Sequence, residues 1–244
     1  MTSPDPTQHA GAHHHGAAGH HPGHHPGHGG HGGEPSVAVP DDVERFWEDL
    51  YRPGPRWSGN PNPALVDVAS PLPPGTALDL GCGEGGDALW LAGRGWRVTA
   101  VDVSATALER LAASAAAAGL AERLEIGRHD LTASFPDGAF DLVCACYLHS
   151  PVPMDRDRVL HRAAQAVAPG GVLIVVDHEW MSPWSWTDAD AASSAAPQVL
   201  DALGLDPAEW RTSRAGAPRR GATTPDGEAV TVTDLVLALT RRAS

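Results

Sequence analysis

The residues best able to do chemistry in this chain lie close together: Asp79, Gly81, Cys82, Gly83, Glu84 and Gly85, with Asp102 further on. Glycine at alternate positions lets a backbone pass close to a flat or charged ligand. Carboxylates at 79 and 84 would repel a pyrophosphate and suit a ligand that carries positive charge. Asp102, one helix and one strand beyond the glycines, stands where a carboxylate can accept two hydrogen bonds from a ribose diol. The alternative for both aspartates is architectural, Asp79 capping the helix after the loop and Asp102 ending a strand. A nicotinamide-dependent oxidoreductase could use the same arrangement. It needs a backbone cradle for pyrophosphate at a helix amino terminus, however, and Glu84 would oppose that.

These residues require a strand, a turn, a helix and a second strand to hold them. The pattern supplies all four: an apolar run at 77–80, glycines at 81, 83, 85 and 86, an amphipathic segment at 87–93, and an apolar run at 97–101 that ends in Asp102. Such a unit binds ligands at the carboxyl edge of a parallel sheet. Ahead of it, the acids at 41–44 cap a short helix reaching Leu50, with Phe46, Trp47 and Leu50 as its apolar stripe. Residues 51–62 read as a Pro- and Gly-rich loop carrying Tyr51, Trp57 and Asn60, where Trp57 either plugs the core edge or belongs to a lid. A helix at 63–69 follows, ended by the prolines of 71–74.

Downstream, an Ala-rich helix at 105–118 stops at Gly119, and residues 124–127 read as a third strand. A fourth strand at 140–146 has no polar alternation and is predicted to be buried on both faces, which makes Cys144 and Cys146 packed thiols rather than nucleophiles. A helix at 155–168, a turn at 169–171 and a fifth strand at 172–177 come next. The pattern ends with a helix at 189–203 capped by Gly204 and strands at 210–213 and 234–239 joined by a hairpin over 215–227.

The acid and spaced glycines, the acid ending the second strand and the Pro169-Gly170-Gly171 turn together resemble the class I S-adenosylmethionine-dependent methyltransferases. The resemblance follows element order over residues 41–240. It implies a Rossmann-like α/β fold, with a seven-stranded, mostly parallel sheet flanked by helices on both faces, and S-adenosylmethionine as cofactor. It implies a cofactor site of Asp79, Gly81, Cys82, Gly83, Gly85, Asp102, Val103, Asp130, Leu131 and Cys146. There the loop backbone lies beside the aminoacyl part, Asp102 holds the ribose, Asp130 takes the exocyclic amine of adenine, and the backbone near Leu131 holds the ring edge. The alternative for Asp130 is a turn residue. The family lines its acceptor pocket at the exit of the fourth strand, which makes His149 and Tyr147 the candidate catalytic residues. Trp57, Tyr147, His149, His178 and Trp180 are the candidate acceptor site, since large aromatics with polar edges suit pockets. The loop 57–62 and the short core look most like small-molecule methyltransferases of the thiopurine and tellurite-resistance type.

Methyl transfer asks the protein to desolvate and align the acceptor, and to remove a proton when the acceptor is a poor nucleophile. No Asn-Pro-Pro-Tyr motif or committed base follows the fourth strand. A small soft or aromatic acceptor, such as a thiol, is therefore expected, enclosed by Tyr147, Trp57, Trp180 and Trp184. The alternatives are a hydroxyl or amine acceptor with His149 as base, and a metal-binding protein with a vestigial pocket. His178 with Glu179, or His149 with Asp177, could make half a metal site. No three-ligand spacing supports a catalytic metal, and none is expected.

The formal net charge of −13 over 244 residues, with no lysine, speaks against a nucleic-acid partner, since the only basic pairs are Arg219-Arg220 and Arg241-Arg242. Three cysteines make no disulfide framework, and neither a signal sequence nor a membrane-spanning run is evident, so a cytoplasmic protein with no membrane partner is expected. Residues 1–36 hold ten of the fourteen histidines among Gly, Pro and Ala. They are predicted to be a disordered tail preceding a methyltransferase domain at 37–244. The tail could gather a borderline divalent metal such as nickel, copper or zinc, either adventitiously or as a storage or sensing arm.

Overall fold

The apolar run before the glycines forms β1 (Thr76–Leu80), buried from its second residue onward. Four more runs join it in a parallel sheet: β2 (Arg97–Asp102), β3 (Leu124–Arg128), β4 (Phe140–Cys146) and β5 (Val167–His178). The antiparallel β8 (Ala229–Arg241) lies between β5 and β6 (Trp210–Gly216), and β7 (Arg219–Thr223) also pairs with β8. The sheet order is β3-β2-β1-β4-β5-β8-β6. The chain winds outward from β1 through β2 and β3, then from β4 the other way. The crevice at the carboxyl ends of β1 and β4 is therefore the topological switch point, where open α/β sheets bind ligands. These descriptions come from a computed structural model that describes residues 42–178, 196–223 and 228–243. The histidine-rich tail, Glu179, Trp180, Trp184 and residues 189–195 lie outside the described residues.

Among the described residues six α-helices cover the sheet: α1 (Val43–Tyr51), α2 (Pro63–Ala69), α3 (Gly86–Gly93), α4 (Ala105–Ala117), α5 (Arg156–Gln165) and α6 (Ala196–Leu203). Asp42, Asn62, Ser104 and Asp155 begin four of them, each side chain accepting a first-turn backbone N–H that would otherwise be orphaned. Alternation along the strands splits the core in two. Leu78, Leu80, Val143, Leu173 and Val175 pack with α5 and α6, while Ala77, Leu142, Ile174 and Val176 pack with α2 and α3. Each fully buried leucine in these layers contributes about 1.5–3 kcal/mol.

The sheet departs from the sequence reading in three places. Among the described residues it has eight strands, where seven were expected. The Pro169-Gly170-Gly171 turn lies inside β5: Phe140 pairs with Val167 and Leu142 with Val172, so residues 168–171 bulge out opposite Asp141. Consequently α5 ends at Gln165 and the strand starts earlier than predicted. The expected hairpin loop at 215–227 contains β7, which continues the pairing of β6. Gly216 opposes Val236, and three residues on along each chain Arg219 opposes Thr233, so the register is unbroken. Pro218 interrupts the ladder because it has no N–H to donate, although its carbonyl still accepts from Asp234 N–H at 3.0 Å. His178, the end of β5, pairs with Asp234. The β7–β8 arm therefore runs past the carboxyl edge of β5, toward the crevice.

Candidate active site

A cavity of about 300 Å³ opens at the carboxyl ends of β1 and β4. Its wall comes from four places: the α1–α2 loop with the start of α2 (Trp57, Ser58, Asn60, Pro61, Asn62, Pro63), the β1–α3 turn (Asp79, Gly81, Cys82, Gly86, Asp87), the end of β4 (Cys146, Tyr147), and Arg220 on β7. Glycine is required where these parts meet. Gly85 caps α3 at φ +86°, and a Cβ there would lie 2.1 Å from Leu111 Cδ1. At Gly86 a Cβ would lie 2.6 Å from the carbonyl oxygen of Asn60, so the two loops touch only because no side chain intervenes.

The cavity floor is acidic. Asp79 is 2% exposed; its Oδ1 accepts from the Cys144 thiol at 3.4 Å and the Ala88 backbone N–H is directed at the carboxylate, while its Oδ2 makes no hydrogen bond. Burial, reinforced by the charge of Asp87, pushes its pKa up to about 8. Asp87 accepts the backbone N–H of Asn62 at 2.5 Å and a hydrogen bond from the Cys146 thiol. Burial raises its pKa also, against those two bonds. The cysteines are protonated thiols, their pKa values driven up by burial and by the neighbouring acids. Asp87 was missed in the sequence, although an acid in the first turn after the glycines was a signal for it.

Asp102 is 8% exposed and lies just beside this wall. Its Oδ2 accepts from Gly83 N–H and its Oδ1 from Ser104 N–H, both at 2.9 Å. It thereby ties the glycine turn to the start of α4. Burial raises its pKa, and those amides oppose the rise. Val103 sits beside it, its carbonyl accepting from Arg128 Nε at 2.9 Å. Asp130 closes its own turn, with Oδ1 taking the backbone N–H and the hydroxyl of Thr132 at 2.9 and 2.7 Å. Leu131 is buried in the core.

Glu84 does not face the cavity as its position between the glycines suggested. It accepts the backbone N–H groups of Arg56 and Trp57 at 2.9 and 3.1 Å and pairs with Arg110 at 2.7 Å. Arg110 also donates to the carbonyls of Gly54 and Tyr51 at 2.7 Å. Burial opposes the charge on Glu84, but these partners outweigh it and hold its pKa low. The α1–α2 loop is thereby latched over the glycine turn. Trp57, at 48% exposure, donates its indole N–H to the Tyr51 hydroxyl at 3.0 Å, so it both lines the cavity and covers the turn.

On the β4 side, Tyr147 has φ 53°, the one positive value outside glycine among the described residues. Such strain concentrates at functional sites. Its ring stacks on His178 with centroids 4.2 Å apart, and its hydroxyl accepts from Arg220 at 2.9 Å. Asp234 gathers the other groups of this cluster: Arg220 Nε at 2.5 Å, His178 Nδ1 at 3.2 Å and the Tyr147 hydroxyl. Burial and the Asp234 charge raise the Tyr147 pKa, so it stays a phenol and is no base. Arg220 and Asp234 were missed as site residues. Their signal needed the register of the distant β7–β8 arm.

His149 is absent from the cavity wall. Its Nε2 lies 3.2 Å from Asp177, whose two oxygens both take Arg156 at 2.6 Å. Burial disfavours the Asp177 charge, yet the His149 bond and the Arg156 guanidinium hold its pKa below the ordinary carboxylate range. Asp177 and His178 point to opposite faces of β5, and only His178, a candidate for the acceptor site, shares the Tyr147 cluster. Of the other described histidines, His129 bonds Ser134 and His161 lies near the carbonyl of Leu203. Among the described residues no three His, Cys, Asp or Glu side chains are grouped to hold a metal.

Residues 77–171 match the family model described as a methyltransferase domain. Over 123 residues the chain is 35% identical to ribosomal RNA small subunit methyltransferase C of Alcanivorax borkumensis, covering 47% of this chain and 36% of that one. Over 160 residues it is 32% identical to 2-methyl-6-phytyl-1,4-hydroquinone methyltransferase of a Synechocystis species, covering 61% and 43%. Thiocyanate methyltransferase 1 of Brassica oleracea is 26% identical over 174 residues, covering 64% and 77%. The chain thus spans less than half the length of the first two relatives. A structure described as conversion of a disulfide bond into a thioacetal group during echinomycin biosynthesis superposes with a TM-score of 0.64 at 24% identity, covering 82% of this chain and 92% of that one. In sheet order, in the glycine turn after β1 and in the family match, the chain carries the Rossmann-like class I methyltransferase fold.

Proposed function

We propose that the protein is an S-adenosylmethionine-dependent methyltransferase acting on a small molecule, with a thiol or another soft nucleophile as the acceptor. The observation that carries this reading is the floor of the cavity, where Asp79 presents an unpartnered buried carboxylate oxygen beside Asp87. A buried acceptor of that kind is costly unless a donor fills it, and the ammonium of an aminoacyl group fits. Asp102 would take the ribose hydroxyls through lone pairs left after its two backbone bonds. The backbone of Gly81, Cys82, Gly83 and Gly85 would pass beside the cofactor, with Cys146 at its edge. Val103, Asp130 and Leu131 would line the adenine end. When bound, the cofactor supplies a methyl group already activated on a sulfonium.

The chain's own groups favour an acceptor that needs no base. Among the described residues the cavity wall holds no histidine, Tyr147 is a phenol and the cysteines are thiols. Trp57 and Tyr147 would exclude water and align the acceptor, with His178 behind Tyr147. His149 would act by holding Asp177 and the β4 exit. The thiocyanate methyltransferase relative supports a soft acceptor, and the hydroquinone methyltransferase supports a small one. A ribosomal RNA relative points to a nucleic-acid acceptor instead, but a net charge of −13 with no lysine opposes it. The three free thiols fit a reducing compartment, hence a cytoplasmic protein. Among the described residues no helix is long and apolar enough to cross a membrane. Residues 1–36 we read as a histidine-rich segment that takes up divalent metal adventitiously, with the methyltransferase domain assigned to 37–244.

The test is turnover with methyl-labelled cofactor against thiols, catechols, small amines and an RNA transcript, using wild type and His149→Ala. Activity on thiols that survives the substitution is the expected result. Activity confined to hydroxyl acceptors and abolished by His149→Ala would overturn the base-free reading and make His149 the general base.

A further inference from the structure

We infer that the side-chain amide of Asn62 is the donor for the cofactor's carboxylate, and so selects ligands that carry a complete aminoacyl group. The inference rests on the cofactor reading above. Asn62 is 7% exposed and lies in the cavity wall. Its Oδ1 accepts the N–H of Ala64 at 2.9 Å, which fixes which end of the amide is the oxygen. Its backbone N–H goes to Asp87. Only Nδ2 remains, and it is buried with no partner.

Asn62 Nδ2 and Asp79 Oδ2 are the two buried side-chain polar atoms without partners among the described residues, and both belong to this one wall. One is a donor and the other an acceptor. An α-amino acid group offers the matching pair, a carboxylate to accept and an ammonium to donate, on neighbouring atoms. The Asn62 backbone bond to Asp87 couples the two halves. The loop that brings the donor is thereby fastened to the acid pair that receives the ammonium, so one zwitterion would close both ends of the site. A buried amide left unpaired is costly, which explains why asparagine sits where a serine or aspartate would cap α2 equally well.

The test compares S-adenosylhomocysteine with its decarboxylated analogue, which differs only in lacking the carboxylate. Asn62→Asp keeps an oxygen for the Ala64 cap and turns the donor into an acceptor; Asn62→Ser keeps the cap and removes the amide. Titration calorimetry on wild type and both variants, with thermal melts to show folding, reads the effect. S-adenosylhomocysteine should weaken about tenfold or more in Asn62→Asp and less in Asn62→Ser, while the decarboxylated analogue keeps its affinity or tightens. Equal losses for both ligands in a folded variant, or no loss for either, would overturn the inference. If wild type binds neither ligand, it is the cofactor reading that fails, and the assignment of Asn62 falls with it.

Discussion

Asp79→Asn exchanges a buried carboxylate for an amide of the same shape, and stability and binding should move in opposite directions. The folded pKa of Asp79 is about 8 against an ordinary 3.8, because burial and the Asp87 charge disfavour its ionised form. Between those values the folded protein keeps a proton that the unfolded chain gives up. Wild-type stability therefore declines as pH rises from about 4 and levels off once the folded-state group ionises near 8. The asparagine variant lacks this decline. Relaxation around Asp79 and the sharing of charge with Asp87 limit the gain at pH 9 to about 1–3 kcal/mol. For a domain of this size that is a rise of about 3–9 °C in Tm. Cofactor affinity should fall about tenfold or more, since the ammonium loses a charged acceptor. Thermal unfolding from pH 4.5 to 9, with calorimetry at pH 8.5, measures both. A variant no more stable than wild type at pH 9, or with the same gain at pH 4.5 as at pH 9, would refute the reasoning.

Arg110→Ala should release the α1–α2 loop by removing the donor to Glu84, Gly54 and Tyr51, costing about 1–3 kcal/mol and speeding amide hydrogen exchange over residues 52–58; unchanged exchange would count against the latch. Arg220→Met should leave Asp234 buried with less compensation, lowering stability by about 2–4 kcal/mol and raising KM for the acceptor, as melts and steady-state kinetics would show. Asp177 has a depressed pKa, so its contribution is present above about pH 4 and is lost as pH falls through the folded value. Asp177→Asn should accordingly flatten the acid limb of the stability profile, and a limb as steep as that of wild type would show that Asp177 does not set it.

What could be read from the sequence was local. The run of apolar residues, alternate glycines and terminal acid around Asp79 and Asp102 encodes its own strand, turn, helix and strand, because each step depends on neighbours in the chain. Asn62-Pro63 likewise announces the start of α2 with an N-cap and a proline in the first turn. The sequence did not show where such residues point once distant segments meet. Glu84 lies between glycines yet turns outward to Arg110, because the α1–α2 loop offers it two backbone N–H groups and α4 a guanidinium. His149 follows the central strand yet turns to Asp177, which Arg156 has already drawn to that face. Arg220 read as half of an isolated basic pair. Its place beside Tyr147 and Asp234 depends on a register carried from β6 across Pro218 into β7, and no local pattern records that.

On the proposed function, the crevice between β1 and β4 binds an adenosyl amino acid through Asp79, Asp87 and Asp102. Calorimetric titration of the intact chain with S-adenosylhomocysteine at pH 8.5, with NAD as the competitor, tests it most directly. One site per chain, with affinity that rises from pH 6.5 to 8.5 as Asp79 ionises and is untouched by NAD, is the result predicted. No binding at millimolar S-adenosylhomocysteine, or displacement by NAD, would contradict it.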